Sequence, residues 1–133
     1  MFKISKLIAM LIVTMIVSGG CGNVPEKTDS EYKKITAEDA KNRIDENKDV
    51  IVVDVRTLDE YNEGHIEGAI LIPNETITDT PPELLPDLDA EILIYCRSGN
   101  RSQQAAIKLI DMGYTNIYDF GGIIDWPYDT VTE

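Results

Sequence analysis

The eight residues from Tyr95 to Ser102 carry the side chains best suited to chemistry in this 133-residue chain. Cys96 directly follows the hydrophobic run 92–95, and small and cationic residues separate it from a helical pattern that begins near Ser102. A cysteine between the end of a buried strand and the start of a helix is stabilised as a thiolate, because backbone N–H groups and the helix dipole both favour an anion there. The segment therefore predicts a nucleophilic cysteine.

Patterns on either side of this segment indicate the elements that hold it in place. Strands are predicted at residues 50–53, 69–72, 92–95 and 116–118, and helices at 37–47, 57–64, 102–112 and near Trp126. Continuous apolar strands that alternate with helices imply an α/β fold, with a small parallel β-sheet flanked by helices on both faces. Ligands bind such sheets at the carboxyl ends of the strands, which is where Cys96 is predicted to lie.

Two threonines predict where the first helices begin. Thr36 precedes Asp39 by three residues, and Thr57 precedes Glu60 by the same interval, which is the spacing of a capping box. The stretch 74–90 is rich in Pro, Asp and Thr, and it predicts no more than one helical turn. We therefore expect two capped helices, then one long irregular segment ahead of the strand that carries the cysteine.

Residues 1–21 predict a signal peptide. Two lysines are followed by an apolar run, 7–17, that is shorter than the roughly 20 residues needed to span a bilayer and has the length of a signal-peptide core. Small residues then precede Cys21, a pattern that resembles the lipobox of bacterial lipoproteins, with Ser18 where an aliphatic residue is usual. The resemblance implies a lipid on Cys21 and an extracytoplasmic protein anchored to the bacterial cell membrane. The alternatives are signal cleavage alone, which leaves a secreted or periplasmic protein, and an uncleaved helix.

Charge and composition limit the partners of the rest of the chain. Residues 22–31 predict a polar tether, and residues 32–133 are long enough for one domain with its own core. The formal net charge of −12 makes nucleic acid a poor partner, because like charges repel. His65 is the single histidine and leaves no plausible metal site, so we expect no cofactor. A tethered monomer is the simplest expectation.

An ordered set of short motifs runs through the predicted domain. They are Asp54-Val55-Arg56, Glu60-Tyr61, Gly64-His65-Ile66-Glu67-Gly68-Ala69, Ile72-Pro73, Cys96-Arg97-Ser98-Gly99-Asn100-Arg101-Ser102, Gly121-Gly122 and Trp126. In this order, over residues 33–128, they resemble the single-domain rhodaneses, the thiosulfate sulfurtransferase family. The resemblance implies a rhodanese-like fold for nearly the whole domain.

The resemblance also implies a sulfurtransferase that works through a persulfide on Cys96. The thiolate takes a sulfane sulfur from a small anionic donor such as thiosulfate, and a thiophilic acceptor, cyanide or a thiol, then removes it. The residues expected to bind the donor are Arg97, Ser98, Gly99, Asn100 and Arg101. The arginines provide local positive charge in an acidic chain, and the small residues let the backbone curl around the sulfur.

Two other classes of function remain open. Cysteine phosphatases and arsenate reductases resemble Cys-x5-Arg, with an arginine six positions after the cysteine. Here Ser102 is at that position and Arg101 lies one earlier, so the spacing favours sulfur transfer. The non-enzymatic alternative is a rhodanese-fold module that binds a partner or does redox work. Because the domain has no second cysteine, disulfide exchange would need a thiol from another protein.

The remaining polar and aromatic residues of the motifs are expected to be mainly structural. We expect Arg56 to pair with a carboxylate such as Glu60, and His65 to form hydrogen bonds instead of acting as a base. The role of Asp54 stays open at this point, and Trp126 is expected to pack in or beside the core.

Overall fold

Five parallel strands form one sheet in the computed structural model, which describes residues 31–132. The elements are β1 (Lys33–Lys34), α1 (Ala37–Glu46), β2 (Ile51–Asp54), α2 (Leu58–Glu63), β3 (Ile70–Leu71), β4 (Ile92–Cys96), α3 (Asn100–Asp111) and β5 (Ile117–Gly122), with short 3-10 helices at Asn74–Thr76 and Ile123–Asp125. The strand order β1-β5-β4-β2-β3 puts β4 at the centre of the sheet. Cys96 therefore ends the central strand.

Hydrophobic cores cover both faces of this sheet. Successive residues of β4 belong to different cores, with Leu93 in one and Ile94 in the other. The core that contains Ile94 includes Leu109 of α3, and the core that contains Leu93 includes Ala40 of α1. All five residues of β4 are at most 1% exposed, as expected for a strand between two layers of helix. The predicted parallel sheet with helices on both faces is confirmed.

Both predicted capping boxes are present. The Thr36 side chain accepts a hydrogen bond from the Asp39 amide at 3.1 Å, and the Asp39 carboxylate accepts one from the Thr36 amide at 3.4 Å. Thr57 and Glu60 form the same reciprocal pair at the start of α2. Each box satisfies two backbone N–H groups that a helix start leaves without a partner. Both helices therefore begin directly after the threonines that predicted them.

Several element boundaries differ from the predicted ones. Helix α3 begins at Asn100, two residues early, because Gly99 in a left-handed conformation acts as its N-cap. Strand β5 continues through Gly122, and β1, which the sequence pattern does not predict, pairs with it at the edge of the sheet. The final helix is only the 3-10 turn at Ile123–Asp125. The longer β5 is the difference that matters most for the site, because it brings its last glycine beside Cys96.

The predicted signal peptide, with Cys21, lies outside the described residues, and so does most of the predicted tether. Within residues 31–132, no helix has both the length and the apolar character needed to cross a membrane.

Candidate active site

Cys96 is buried at the end of the central strand, with 1% of the residue exposed. The register between β4 and β5 shifts between Ile94 and Cys96, so that Cys96 pairs with Gly122. The chain then passes through residues 97–99 and enters α3. The predicted position of the cysteine, between a buried strand and a helix N-terminus, is confirmed.

Two groups from the following turn contact the sulfur. The amide of Gly99 donates a hydrogen bond to Cys96 Sγ at 2.9 Å, and the Cys96 thiol donates to Ser102 Oγ at 3.6 Å. Gly99 has a φ angle of 104°, a backbone conformation that residues other than glycine rarely adopt, and this angle is part of the turn that brings its N–H to the sulfur. The turn thus presents a backbone donor and the positive end of a twelve-residue helix to the sulfur.

The outer side of the loop lies directly against strand β5. A Cβ atom built on Gly122 would lie 2.1 Å from the carbonyl oxygen of Arg97 and 2.6 Å from Ser98 Cα. The amide of Ile124 also donates to the Arg97 carbonyl, at 3.3 Å. Only a residue without a side chain allows the loop to pack this closely, which accounts for the second glycine of the Gly121-Gly122 motif.

The other predicted donor-binding residues differ in their surroundings. Arg97, Ser98 and Asn100 are exposed, and Gly99 is half-buried. A cleft of about 500 Å³ borders the loop residues 98–100 on the side of β1 and β5. The loop is therefore open to small molecules while its cysteine stays covered.

Arg101 is committed to an ion pair. Its Nη1 and Nη2 donate to Oε1 and Oε2 of Glu60 at 2.7 and 3.0 Å. These hydrogen bonds hold the pKa of the Glu60 carboxyl at about 2, well below its usual range, and they raise the pKa of the Arg101 guanidinium. The expectation that Arg56 pairs with a carboxylate is confirmed, but the partner is Asp54; Glu60 reaches α3 instead.

Arg56 pairs with Asp54, whose role the sequence left open. Its Nη2 donates to Asp54 Oδ2 and to the Gly64 carbonyl, both at 2.7 Å, and its backbone amide donates to Asp54 Oδ1 at 2.9 Å. Burial by itself lowers the pKa of Arg56, but the Asp54 carboxylate outweighs it and the pKa is raised. The Tyr95 hydroxyl accepts from the Ile66 amide at 3.1 Å, and burial, reinforced by Asp54, raises its pKa. This buried network ties the ends of β2 and β4 to the segment before β3.

The expected hydrogen bonding of His65 and the expected packing of Trp126 are confirmed. His65 is 2% exposed, its Nδ1 lies 2.8 Å from the carbonyl oxygen of Tyr61, and its ring stacks on the Tyr61 ring at 3.6 Å between centroids. Trp126 packs between Phe120 and Tyr128 in the core on the α1 face. Among residues 31–132, no group of His, Cys, Asp or Glu side chains could hold a metal ion.

Sequence reasoning did not predict that Ser102 contacts the cysteine or that Glu60 pairs with Arg101. Ser102 is fully buried, and its hydroxyl donates to the Gly99 carbonyl at 3.1 Å while it accepts from Cys96. Because Ser102 lies in the first turn of the helix that follows the cysteine, its contact with the sulfur could have been predicted from the local sequence. The pairing of Glu60 with Arg101 has no such signal, because it depends on how α2 and α3 are arranged.

A cysteine held at a helix N-terminus by a backbone donor is suited to nucleophilic attack through sulfur. In agreement with this arrangement, residues 36–127 match the model of the rhodanese-like domain, and the chain belongs to this family.

Its curated relatives include sulfurtransferases of similar length. The chain is 38% identical over 94 residues to a sulfurtransferase of Allochromatium vinosum, a match that covers 70% of this chain and 86% of the relative. It is 39% identical over 93 residues to the thiosulfate sulfurtransferase GlpE of Pseudomonas entomophila, which covers 70% and 82% of the two chains. These matches support sulfur transfer as the general class of activity.

Further matches include a longer relative and a solved structure. The tRNA uridine(34) hydroxylase of Photorhabdus laumondii is 38% identical over 107 residues, which is 77% of this chain but only 29% of the hydroxylase. The crystal structure of a rhodanese-related protein from Thermoplasma volcanium superposes with a TM-score of 0.66 at 30% identity, covering 77% of this chain and all of the other. The rhodanese-like domain thus occurs both alone and within larger proteins.

Proposed function

We propose that this protein is a sulfurtransferase that carries a sulfane sulfur as a persulfide on Cys96. The observation that carries the proposal is the contact of Cys96 Sγ with the Gly99 amide at 2.9 Å, at the N-terminus of α3. A backbone donor and the helix dipole both stabilise negative charge on sulfur, which both the attacking thiolate and the persulfide carry.

The reaction has two displacements at sulfur. In the first, the Cys96 thiolate attacks the outer sulfur of a donor such as thiosulfate. The sulfur–sulfur bond of the donor breaks, and sulfite leaves with the bonding electron pair. In the second, a thiolate or cyanide attacks the outer sulfur of the persulfide, and Cys96 leaves as the thiolate. Each step conserves charge and needs no cofactor.

The loop residues have distinct roles in this scheme. Gly99 donates its N–H to the cysteine sulfur, and the exposed Arg97 provides positive charge at the surface for the oxyanion end of the donor. Ser98 and Asn100, which border the cleft of about 500 Å³, are proposed to contact the donor through backbone or side-chain polar groups. Ser102 contacts the sulfur from the helix side at 3.6 Å.

Mass spectrometry of the intact protein tests this proposal. Incubation with thiosulfate is expected to add one sulfur, about 32 Da, that is lost on adding cyanide and does not appear in Cys96→Ser. Thr78→Ala, at an exposed residue outside the loop, is the control that keeps the nucleophile, and it should still gain the sulfur. No adduct from thiosulfate, thiosulfonate or polysulfide would exclude the persulfide and leave a binding or redox module.

We further propose that the protein is anchored outside the cytoplasm by a lipid on Cys21, as a monomer on a polar tether. The support is the sequence of residues 1–21, which lie outside the described part of the chain. Cys21→Ser is expected to move the protein from the membrane fraction to the soluble fraction. Retention of this variant in membranes would favour an uncleaved helix, and a soluble wild type would favour signal cleavage alone.

A further inference from the structure

The guanidinium of Arg101 is already occupied by a carboxylate. Both of its terminal nitrogens are bonded to Glu60, at 2.7 and 3.0 Å, so its planar fork makes the two parallel bonds that it could otherwise offer to an oxyanion. About a quarter of each side chain is exposed, and the pair is therefore accessible to a small solute. An anionic donor that binds this two-point site on Arg101 must displace Glu60.

Glu60 is itself held in place from its own helix. Its Oε1 accepts from the amide and the hydroxyl of Thr57 at 3.4 and 3.2 Å, within the capping box of α2. Its pKa of about 2 means that the carboxylate is ionised over the whole physiological range. Glu75 adds a second negative charge that acts on Arg101. The carboxylate is thus a permanent and well-fixed competitor for the guanidinium.

We infer that Glu60 is a specificity-determining residue that competes with the oxyanion end of the sulfur donor for Arg101 and so disfavours dianionic donors relative to donors of lower charge. This inference rests on the proposed transfer of sulfur through Cys96. With Arg101 neutralised, Arg97 is the exposed cation on the loop, in a chain whose formal net charge is −12. A dianion meets more repulsion here than a monoanion does.

Thiosulfate and a thiosulfonate form a suitable pair of donors. Both present a terminal sulfane sulfur on an oxidised sulfur, but thiosulfate is a dianion and methanethiosulfonate a monoanion. With the thiosulfonate, the Cys96 thiolate attacks the terminal sulfur, the sulfur–sulfur bond breaks, and methanesulfinate leaves with the electron pair. The two donors differ in charge, and the thiosulfonate has a methyl group where thiosulfate has an oxygen.

The test is the ratio of kcat/KM for the two donors in Glu60→Gln and in a matched control. Glutamine also forms capping boxes, so this variant keeps the helix start while removing the charge. Asp59→Asn removes one charge from an exposed neighbour on the same helix. We expect Glu60→Gln to raise kcat/KM for thiosulfate about fivefold relative to methanethiosulfonate, mainly by lowering KM. A factor of about five corresponds to the free energy of a partly exposed ion pair. Asp59→Asn should change the ratio less than about twofold, because salt screens exposed charges.

Arg101→Ala provides a second measurement that does not depend on the first. If Glu60 already neutralises Arg101, this variant should raise the KM for thiosulfate less than about twofold. A rise of more than about tenfold would mean that Arg101 binds the donor directly and would overturn the inference. An unchanged donor ratio in Glu60→Gln, or an equal fall in kcat for both donors, would overturn it as well. A wild-type protein that gains no sulfur from any donor would instead reject the proposed function.

Discussion

The amide of Gly99 donates to Cys96 Sγ at 2.9 Å, while the carbonyl of the same glycine accepts from Ser102 Oγ at 3.1 Å. Gly99 therefore donates its N–H to the sulfur and accepts a hydrogen bond at its C=O from the first turn of α3. The φ angle of 104° at Gly99 is part of what makes both bonds possible at once. The position of the donor to the sulfur is thus linked directly to the start of the helix.

Ser102 is predicted to assist the reaction through its hydroxyl. In the thiol state this hydroxyl accepts from Cys96 at 3.6 Å, and when the proton leaves it can rotate to donate to the thiolate. Ser102→Ala is expected to slow persulfide formation about tenfold, the scale of a hydrogen bond to a charged group. Single-turnover kinetics with thiosulfate measure the rate. Gln103→Ala, an exposed neighbour on α3, is the control. An unchanged rate in Ser102→Ala would restrict the hydroxyl to its bond with the Gly99 carbonyl.

Gly122 is predicted to control the shape of the loop. In Gly122→Ala the new methyl would lie 2.1 Å from the Arg97 carbonyl oxygen, so the loop or the end of β5 must move. We expect a loss of about 1–3 kcal/mol in the free energy of unfolding, as for other overpacked sites, and a strong fall in sulfur transfer. Urea denaturation and a persulfide assay measure the two effects.

Gly68→Ala separates backbone strain from loop displacement. Gly68 has a φ angle of 82°, but a Cβ atom there meets no atom within 4 Å. This control is expected to lose about 1–3 kcal/mol of stability through strain while folded protein transfers sulfur at the wild-type rate. If Gly122→Ala behaves in the same way, the close contact with the loop has no role in the chemistry.

Local sequence signals predicted most of the fold and the centre of the site. The capping box at Thr36 sets the start of α1 without help from the rest of the chain, and the apolar run before Cys96 requires a buried strand. Strand β1 gave no such signal, because Lys33 and Lys34 are exposed residues that pair only with the edge strand β5. Its existence depends on a partner that is distant in sequence.

The ion pairs also depend on partners that the local sequence does not determine. Asp54 and Arg56 are two residues apart, so the sequence predicts that Arg56 pairs with a nearby carboxylate but does not decide between Asp54 and Glu60. Glu60 instead meets Arg101, which is 41 positions away in sequence. Which carboxylate meets which guanidinium depends on how α2 and α3 pack on the sheet, and no local pattern determines that arrangement.

The Tyr95 hydroxyl is predicted to stabilise the protein without taking part in the reaction. The residue is fully buried, and its oxygen accepts from the Ile66 amide at 3.1 Å. Tyr95→Phe leaves that amide without its partner in a buried position, which costs about 1–3 kcal/mol. Urea denaturation should show this loss, and folded protein should keep its rate of persulfide formation. A fall in rate with unchanged stability would instead connect the hydroxyl to the neighbouring Cys96.

The ion pair between Glu60 and Arg101 makes stability depend on pH in a defined window. The pKa of the Glu60 carboxyl falls from 4.5 to about 2 in the folded protein. A lowered folded-state pKa means that the stabilisation is fully present above about pH 4.5 and disappears as the pH falls toward 2. Arg101→Ala is therefore expected to be less stable than wild type by up to about 1 kcal/mol above pH 5, with a difference that shrinks in more acidic solution. Thermal unfolding from pH 7 to pH 2.5 measures this difference.

A double-mutant cycle isolates the pair from the other acidic groups of the chain. In the Glu60→Gln background the carboxylate is absent, so the cost of Arg101→Ala should depend much less on pH, with only the smaller effect of Glu75 left. The difference between the two costs is the coupling free energy, and it should follow the titration of one carboxyl group. Coupling that stays constant down to pH 2.5 would show that the two side chains interact without their charges. Coupling that is absent at pH 7 would show that the ion pair contributes nothing to the stability of the fold.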